Sequence, residues 1–132
     1  MKKTDAEKAE PKTPKVKRTK KLPAEVALAI AAAEDKQAVN VVLLDLRKSG
    51  VFTDFFLIAS GTNTRQVRAI ADGVRDALAA TGVKPAYVEG YDRSEWILLD
   101  YFDFIVHVFG PQTRVFYDLE RLWGNAERVE VP

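Results

Sequence analysis

Apolar side chains recur along the chain with two different periods, and the switches between them mark the elements. Pro23 suits a first helical turn. Ala24 to Ala38 follows as Ala-rich sequence with Val26, Ile30 and Ala33 on one stripe, which predicts a helix. Asn40 interrupts, and Val41-Val42-Leu43-Leu44-Asp45-Leu46 reads as a short strand before the Ser49-Gly50 turn. Phe55 to Ser60 is a nearly continuous apolar run, the pattern of a central strand. Gly61-Thr62-Asn63 breaks it, and Asn63 or Thr62 caps a helix. Its Val67, Ile70, Ala71, Val74 and Leu78 share one face, and Gly82 stops it. Three shorter strand segments follow, Lys84–Glu89, Glu95–Asp100 and Asp103–Phe109, and Pro85 assigns the first to a sheet edge or a strand's beginning. Pro111 opens a last helix with Val115, Leu119, Leu122 and Trp123 on one face, closed by Gly124. The order α-β-β-α-β-β-β-α predicts an α/β sandwich, a mixed β-sheet covered by helices, with no internal repeat and no second domain.

Charge changes the picture at one end. Residues 1–22 hold nine basic side chains against three acidic ones, and the rest of the chain holds eleven against sixteen, so a +6 segment precedes a −5 body. With Pro11, Pro14 and almost no large aliphatic, residues 1–22 are predicted to be a disordered basic tail. Such a tail is either a solubilising extension or a salt-sensitive contact to nucleic-acid phosphates. The expected domain is then 23–126, followed by a short C-terminal tail, 127–132.

Composition narrows the chemistry. The 132 residues include no cysteine and a single histidine, which removes disulfides, thiol catalysis, thiolate metal sites and His-rich metal sites. Neither a metal nor a cofactor is expected. No apolar run reaches the roughly 18 residues of a membrane span, and no secretory signal pattern is present. The expectation is a cytoplasmic protein with no membrane partner.

The segment around Tyr101 and Phe102 is the most informative. If these two residues form a hairpin loop, Asp100 faces Asp103, Leu98 faces Ile105 and Trp96 faces His107, all on one side of the sheet. The opposite side then carries Ile97, Leu99, Phe104, Val106 and Val108, which is wholly apolar and reads as the core side. The mixed side, with its indole, imidazole, aliphatics and carboxylates, suits a protein-binding surface. The alternative is a cross-strand Trp96–His107 pair lying beneath another element.

These blocks also carry a family resemblance. Ile58-Ala59-Ser60-Gly61, Arg65-Gln66-Val67, Ala69-Ile70-Ala71-Asp72, Glu89-Gly90, Trp96 to Tyr101, Asp103, Val106 to Phe109 and Arg114 to Trp123 resemble the ribosomal silencing factor family, RsfS or Iojap, in order and spacing. The resemblance runs from about Ala24 to Asn125. It implies a small α/β fold related to nucleotidyltransferases but without their activity. It further implies docking on the large ribosomal subunit, at the large-subunit protein numbered fourteen, so that small-subunit joining is blocked and translation falls when nutrients are short. On that reading Trp96, Leu98, Asp100, Ile105 and His107 bind the partner, Tyr101 extends the patch from the hairpin tip, and any tail contact would be to rRNA. Arg114, Tyr117 and Glu120 belong to the resemblance as polar support or as partner contacts, Glu89, in the loop before Trp96, is expected as support too, and Trp123 is assigned to core packing. Self-association into a homodimer is also plausible within the family. Asn63 replaces the usual Ser, and Phe102 the usual Gly, which leaves the turn geometry open.

An enzyme related to nucleotidyltransferases, with a divergent active site, is the alternative. It needs a Gly-Ser turn and clustered carboxylates for magnesium, whereas this chain has Ser60-Gly61 and only Asp100 and Asp103 flanking a turn. No P-loop, dinucleotide or nucleophile-elbow pattern occurs. Direct RNA recognition by the body is disfavoured by its acidity.

Overall fold

The computed structural model describes residues 22–129 and 131; of the predicted tail, 1–22, residues 1–21 lie outside them. In chain order the elements are α1 (Ala24–Asp35), β1 (Val39–Asp45), β2 (Phe55–Ser60), α2 (Thr64–Ala79), β3 (Tyr87–Glu89), β4 (Trp96–Asp100), β5 (Phe104–Phe109), α3 (Pro111–Tyr117), α4 (Leu119–Leu122) and β6 (Glu127–Val129). The six strands form one sheet in the order β3-β4-β5-β2-β1-β6. Only β2 and β5 run parallel; every other neighbouring pair is antiparallel. The sheet is therefore mixed, as the pattern predicts.

Strand alternation sends odd and even positions to different layers. On one side, Leu43, Phe55, Leu57, Ile97, Leu99, Val106 and Val108 meet the apolar stripes of α1 and α2 in the main core. Val26, Ala29, Ile30 and Ala33 face it from α1, and Val67, Ile70, Ala71, Val74 and Leu78 from α2. Asn63 caps α2 by accepting the Gln66 N–H at 2.8 Å. On the outer side, Leu44, Leu46, Ile58 and Phe109 form a smaller cluster closed by Leu119, Trp123 and Trp96.

Four expectations need correction. The last helix is two: Asp118 takes a left-handed conformation, φ 47°, and the break resets the helical phase. Leu119 is consequently buried, while Val115 and Leu122 are 78% and 72% exposed. Residues 127–129 are not tail; they pair with β1, Leu43 opposite Val129, and Val129 is buried in the main core. Leu22, placed in the tail, packs against that same core. The hairpin register is shifted by two residues, so that Asp100 faces Ile105, Leu98 faces His107 and Trp96 faces Phe109. The loop residues are Phe102 and Asp103: the Tyr101 N–H reaches the Phe104 carbonyl at 2.9 Å, and Phe102 adopts φ 70°. A slip of two leaves the faces unchanged.

Candidate functional site

The outer face of β3, β4 and β5 collects most of the side chains singled out in the sequence. Cross-strand register puts Glu89 beside Leu98 and Tyr87 beside Asp100, and then Leu98 beside His107 and Asp100 beside Ile105. Trp96, Leu98 and Asp100 are half-buried, Glu89 is exposed, and Tyr87 is 54% exposed. Tyr87 was not singled out in the sequence. The alternation Tyr87-Val88-Glu89, with Val88 packed on the main core, is the signal that reveals it. Its hydroxyl donates to Glu89 Oε1 at 3.2 Å. Asp100 accepts the Phe102 N–H at 2.8 Å, so this carboxylate shapes the turn as well as the face.

Three residues expected at this surface are not on it as drawn. Tyr101 follows the odd positions into the main core, stacks on Phe104 at 4.9 Å, and is 7% exposed. Burial pushes its phenol up to about 12, and the hydroxyl has no hydrogen-bond partner. Its removal from the patch follows from the register shift, which takes it out of the loop. His107 and Ile105 do lie on the outer face, but at 4% and 6% exposure they sit under it.

His107 and Trp96 are joined across the strands. The indole Nε1–H donates to His107 Nδ1 at 3.1 Å. Phe56 meets the imidazole edge-to-face at 4.6 Å, and Phe109 stacks at 6.1 Å. Burial depresses the His107 pKa to about 3, so the ring is neutral. Trp96 stacks on Phe109 at 5.0 Å and takes Tyr117 of α3 against it at 4.5 Å. Behind it, Gly90 at φ 82° lies so close that a Cβ would stand 2.0 Å from the Trp96 carbonyl oxygen; glycine is required there.

A polar network ties α3 and α4 to the sheet. Arg114 grips Glu120 through two hydrogen bonds, 2.6 and 3.4 Å, and donates to Ser60 Oγ at 2.9 Å and to the Asn40 carbonyl. Arg128 lies 3.7 Å from the same carboxylate. Burial raises the Glu120 pKa, but the hydrogen bonds and charge of Arg114 outweigh it and the net shift is downward. Arg114 and Glu120 are thus support, Tyr117 belongs to the face through Trp96, and Trp123 packs on Phe56 at 5.8 Å.

The turn after β2 is where a nucleotidyltransferase would cradle phosphates. Here three of its donors are spent internally: Gly61 N–H on the Phe109 carbonyl, Thr62 N–H on Gln66 Oε1 at 2.7 Å, and Gln66 N–H on Asn63. Ser60, Arg114, Glu120 and Arg128 line a cleft of about 730 Å³ beside it, where Arg114 is paired with Glu120. Among the described residues no three His, Asp or Glu side chains gather to hold a metal ion, and no helix is long and apolar enough to cross a membrane.

These features define a small α/β domain with one sheet face sealed by two helices and the other only partly roofed, its free part lined by aromatic and carboxylate groups. Residues 19–132 match the family described as ribosomal silencing factor during starvation. Ribosomal silencing factors from Halalkalibacterium halodurans and Bacillus subtilis are 40% and 39% identical over 104 residues, each alignment taking 79% of this chain and 89% or 88% of the relative. A crystal structure of a protein from Chromobacterium violaceum superposes with a TM-score of 0.74 at 36% identity, covering 82% of this chain and 87% of that one. The chain belongs to the ribosomal silencing factor family.

Proposed function

We propose that this protein docks on the large ribosomal subunit through the outer face of β3 and β4, and that it acts as a steric obstruction rather than as an enzyme. The half-buried row Trp96, Leu98 and Asp100, flanked by Tyr87 and Tyr117, supplies apolar area with a carboxylate at its edge. Asp100 pairs with an Arg or Lys of the large-subunit protein numbered fourteen, the partner the family resemblance implies. The −5 body favours a basic partner and speeds its encounter. Bound there, the domain occupies space the small subunit needs, and translation falls under nutrient limitation. The observation that carries this reading is the Trp96 indole, partly buried in an aromatic cluster yet still reaching solvent on the less covered face.

Co-sedimentation of the purified protein with isolated large subunits tests it. Trp96→Ala is expected to weaken co-migration at least tenfold, about the loss of a hot-spot aromatic, and to restore subunit joining. Unchanged co-migration by a folded Trp96→Ala variant moves the surface elsewhere. Magnesium-dependent nucleotide turnover abolished by Asp100→Ala would return the enzyme reading.

A further inference from the structure

His107 is an awkward residue for the place it holds. Its strand neighbours are Ile58 and Leu98, its ring contacts are Phe56, Trp96 and Phe109, and its Nε2 has no partner. A phenylalanine would suit those surroundings without burying an unpaired donor. What histidine adds is an acceptor. An indole nitrogen only donates, so the 3.1 Å contact fixes the neutral tautomer: Nδ1 bare beneath Trp96, the proton on the orphaned Nε2.

Stacking leaves something for that acceptor to decide. Phe109 stacks on the Trp96 ring at an interplanar angle of 25°, and Tyr117 packs against it tilted at 44°. A half-turn about the Trp96 Cβ–Cγ bond brings the indole back into the same plane with its Nε1 edge and benzo ring exchanged, and dispersion, being non-directional, discriminates between the two less sharply than a hydrogen bond does. A directional hydrogen bond discriminates strongly. We infer that His107 is a positioning residue: its Nδ1 selects the rotation in which the Trp96 indole is presented for docking, and His107 itself makes no contact with the partner. This rests on the docking reading above and adds the group that sets the geometry of that surface.

The experiment compares full-length His107→Phe, His107→Asn, Trp96→Phe and Trp96→Ala with the parent, by co-sedimentation with isolated large subunits, thermal unfolding, and the NMR signal of the Trp96 indole N–H. His107→Phe removes the acceptor and the orphaned donor together. Its expected result is a binding loss of about tenfold with an unchanged or higher melting temperature and a displaced indole signal. His107→Asn, whose amide oxygen takes the place of Nδ1, recovers most of the affinity, and Trp96→Phe loses as much as His107→Phe. Parental affinity in His107→Phe, with binding lost in Trp96→Ala, overturns the positioning role and leaves the docking face in place. A loss in His107→Phe that merely tracks a fall in melting temperature, without rescue by asparagine, also overturns it. Parental affinity in folded Trp96→Ala overturns the docking face itself.

Discussion

Protonation of His107 is opposed by its surroundings: its cross-strand neighbours Ile58 and Leu98 and the rings of Phe56, Trp96 and Phe109 against it carry no charge. The sign of the consequence is fixed. With a folded pKa near 3 against 6.5 for a free imidazole, the unfolded chain takes up a proton that the folded chain refuses. Stability contributed by this residue is therefore complete above pH 7 and declines as pH falls from 6.5 toward 3. The decline reaches about 2 kcal/mol by pH 5. Urea unfolding of parent and His107→Phe at pH 7 and pH 5 checks it: the gap between the two is expected to shift in favour of the variant by that amount. At this same scale the sequence showed that Trp96 and His107 share a face, because alternation is read from residue types alone. It did not show the depth of His107, which depends on the distant Phe56 and on the segment that follows β5.

Elements are harder to read where a single backbone angle redirects them. The 3.6-residue period carried through Pro111 to Trp123 places Val115 and Leu122 inward with Leu119, but the left-handed Asp118 divides the helix and only Leu119 goes in. Asp tolerates that conformation without announcing it. In the β4–β5 hairpin, Phe102 sits at φ 70° with no residue preference to signal it, and the observed register lies two residues from the expected one. β2 matches its expected span Phe55–Ser60, α2 starts directly after its expected cap, α1 ends at Asp35 three residues short of the expected Ala38, and β6, three residues long, carries no signal. What α3 lacks in buried residues it recovers through Arg114, whose side chain is 11% exposed and spans Glu120, Ser60 and Asn40. Arg114→Ala strands the Glu120 carboxylate and is expected to destabilise the fold by about 2–3 kcal/mol. Hydrogen exchange across residues 111–123 should accelerate more than in α2. Arg114→Lys should recover only part of the loss, since an ammonium cannot form the paired contact.

Across the whole molecule, charge is segregated along the chain: nine basic against three acidic residues up to position 22, eleven against sixteen beyond it. An acidic body attached to a basic segment can be drawn to the ribosome by two different partners, basic protein and anionic RNA. Removing residues 1–21, which spares Leu22 and its packing on the core, separates them. The truncated protein is expected to keep its Trp96-dependent binding while the salt dependence of that binding becomes shallower. Co-sedimentation across a range of potassium concentrations measures both. Loss of all binding would assign the segment a specific contact rather than a diffuse attraction.

The outermost strand has a consequence for how the protein is made. Glu127–Val129 pairs with Leu43, Leu44 and Asp45, more than eighty residues earlier. During synthesis one edge of β1 stays unpaired until residues 127–129 have been made, although β2 is already available on its other side. A nascent chain stalled before Glu127 would expose that ribbon's unpaired amides and carbonyls to any neighbouring chain, a template for aggregation. Residues 127–129 thus act as a selvedge, closing the weave along the free edge of β1.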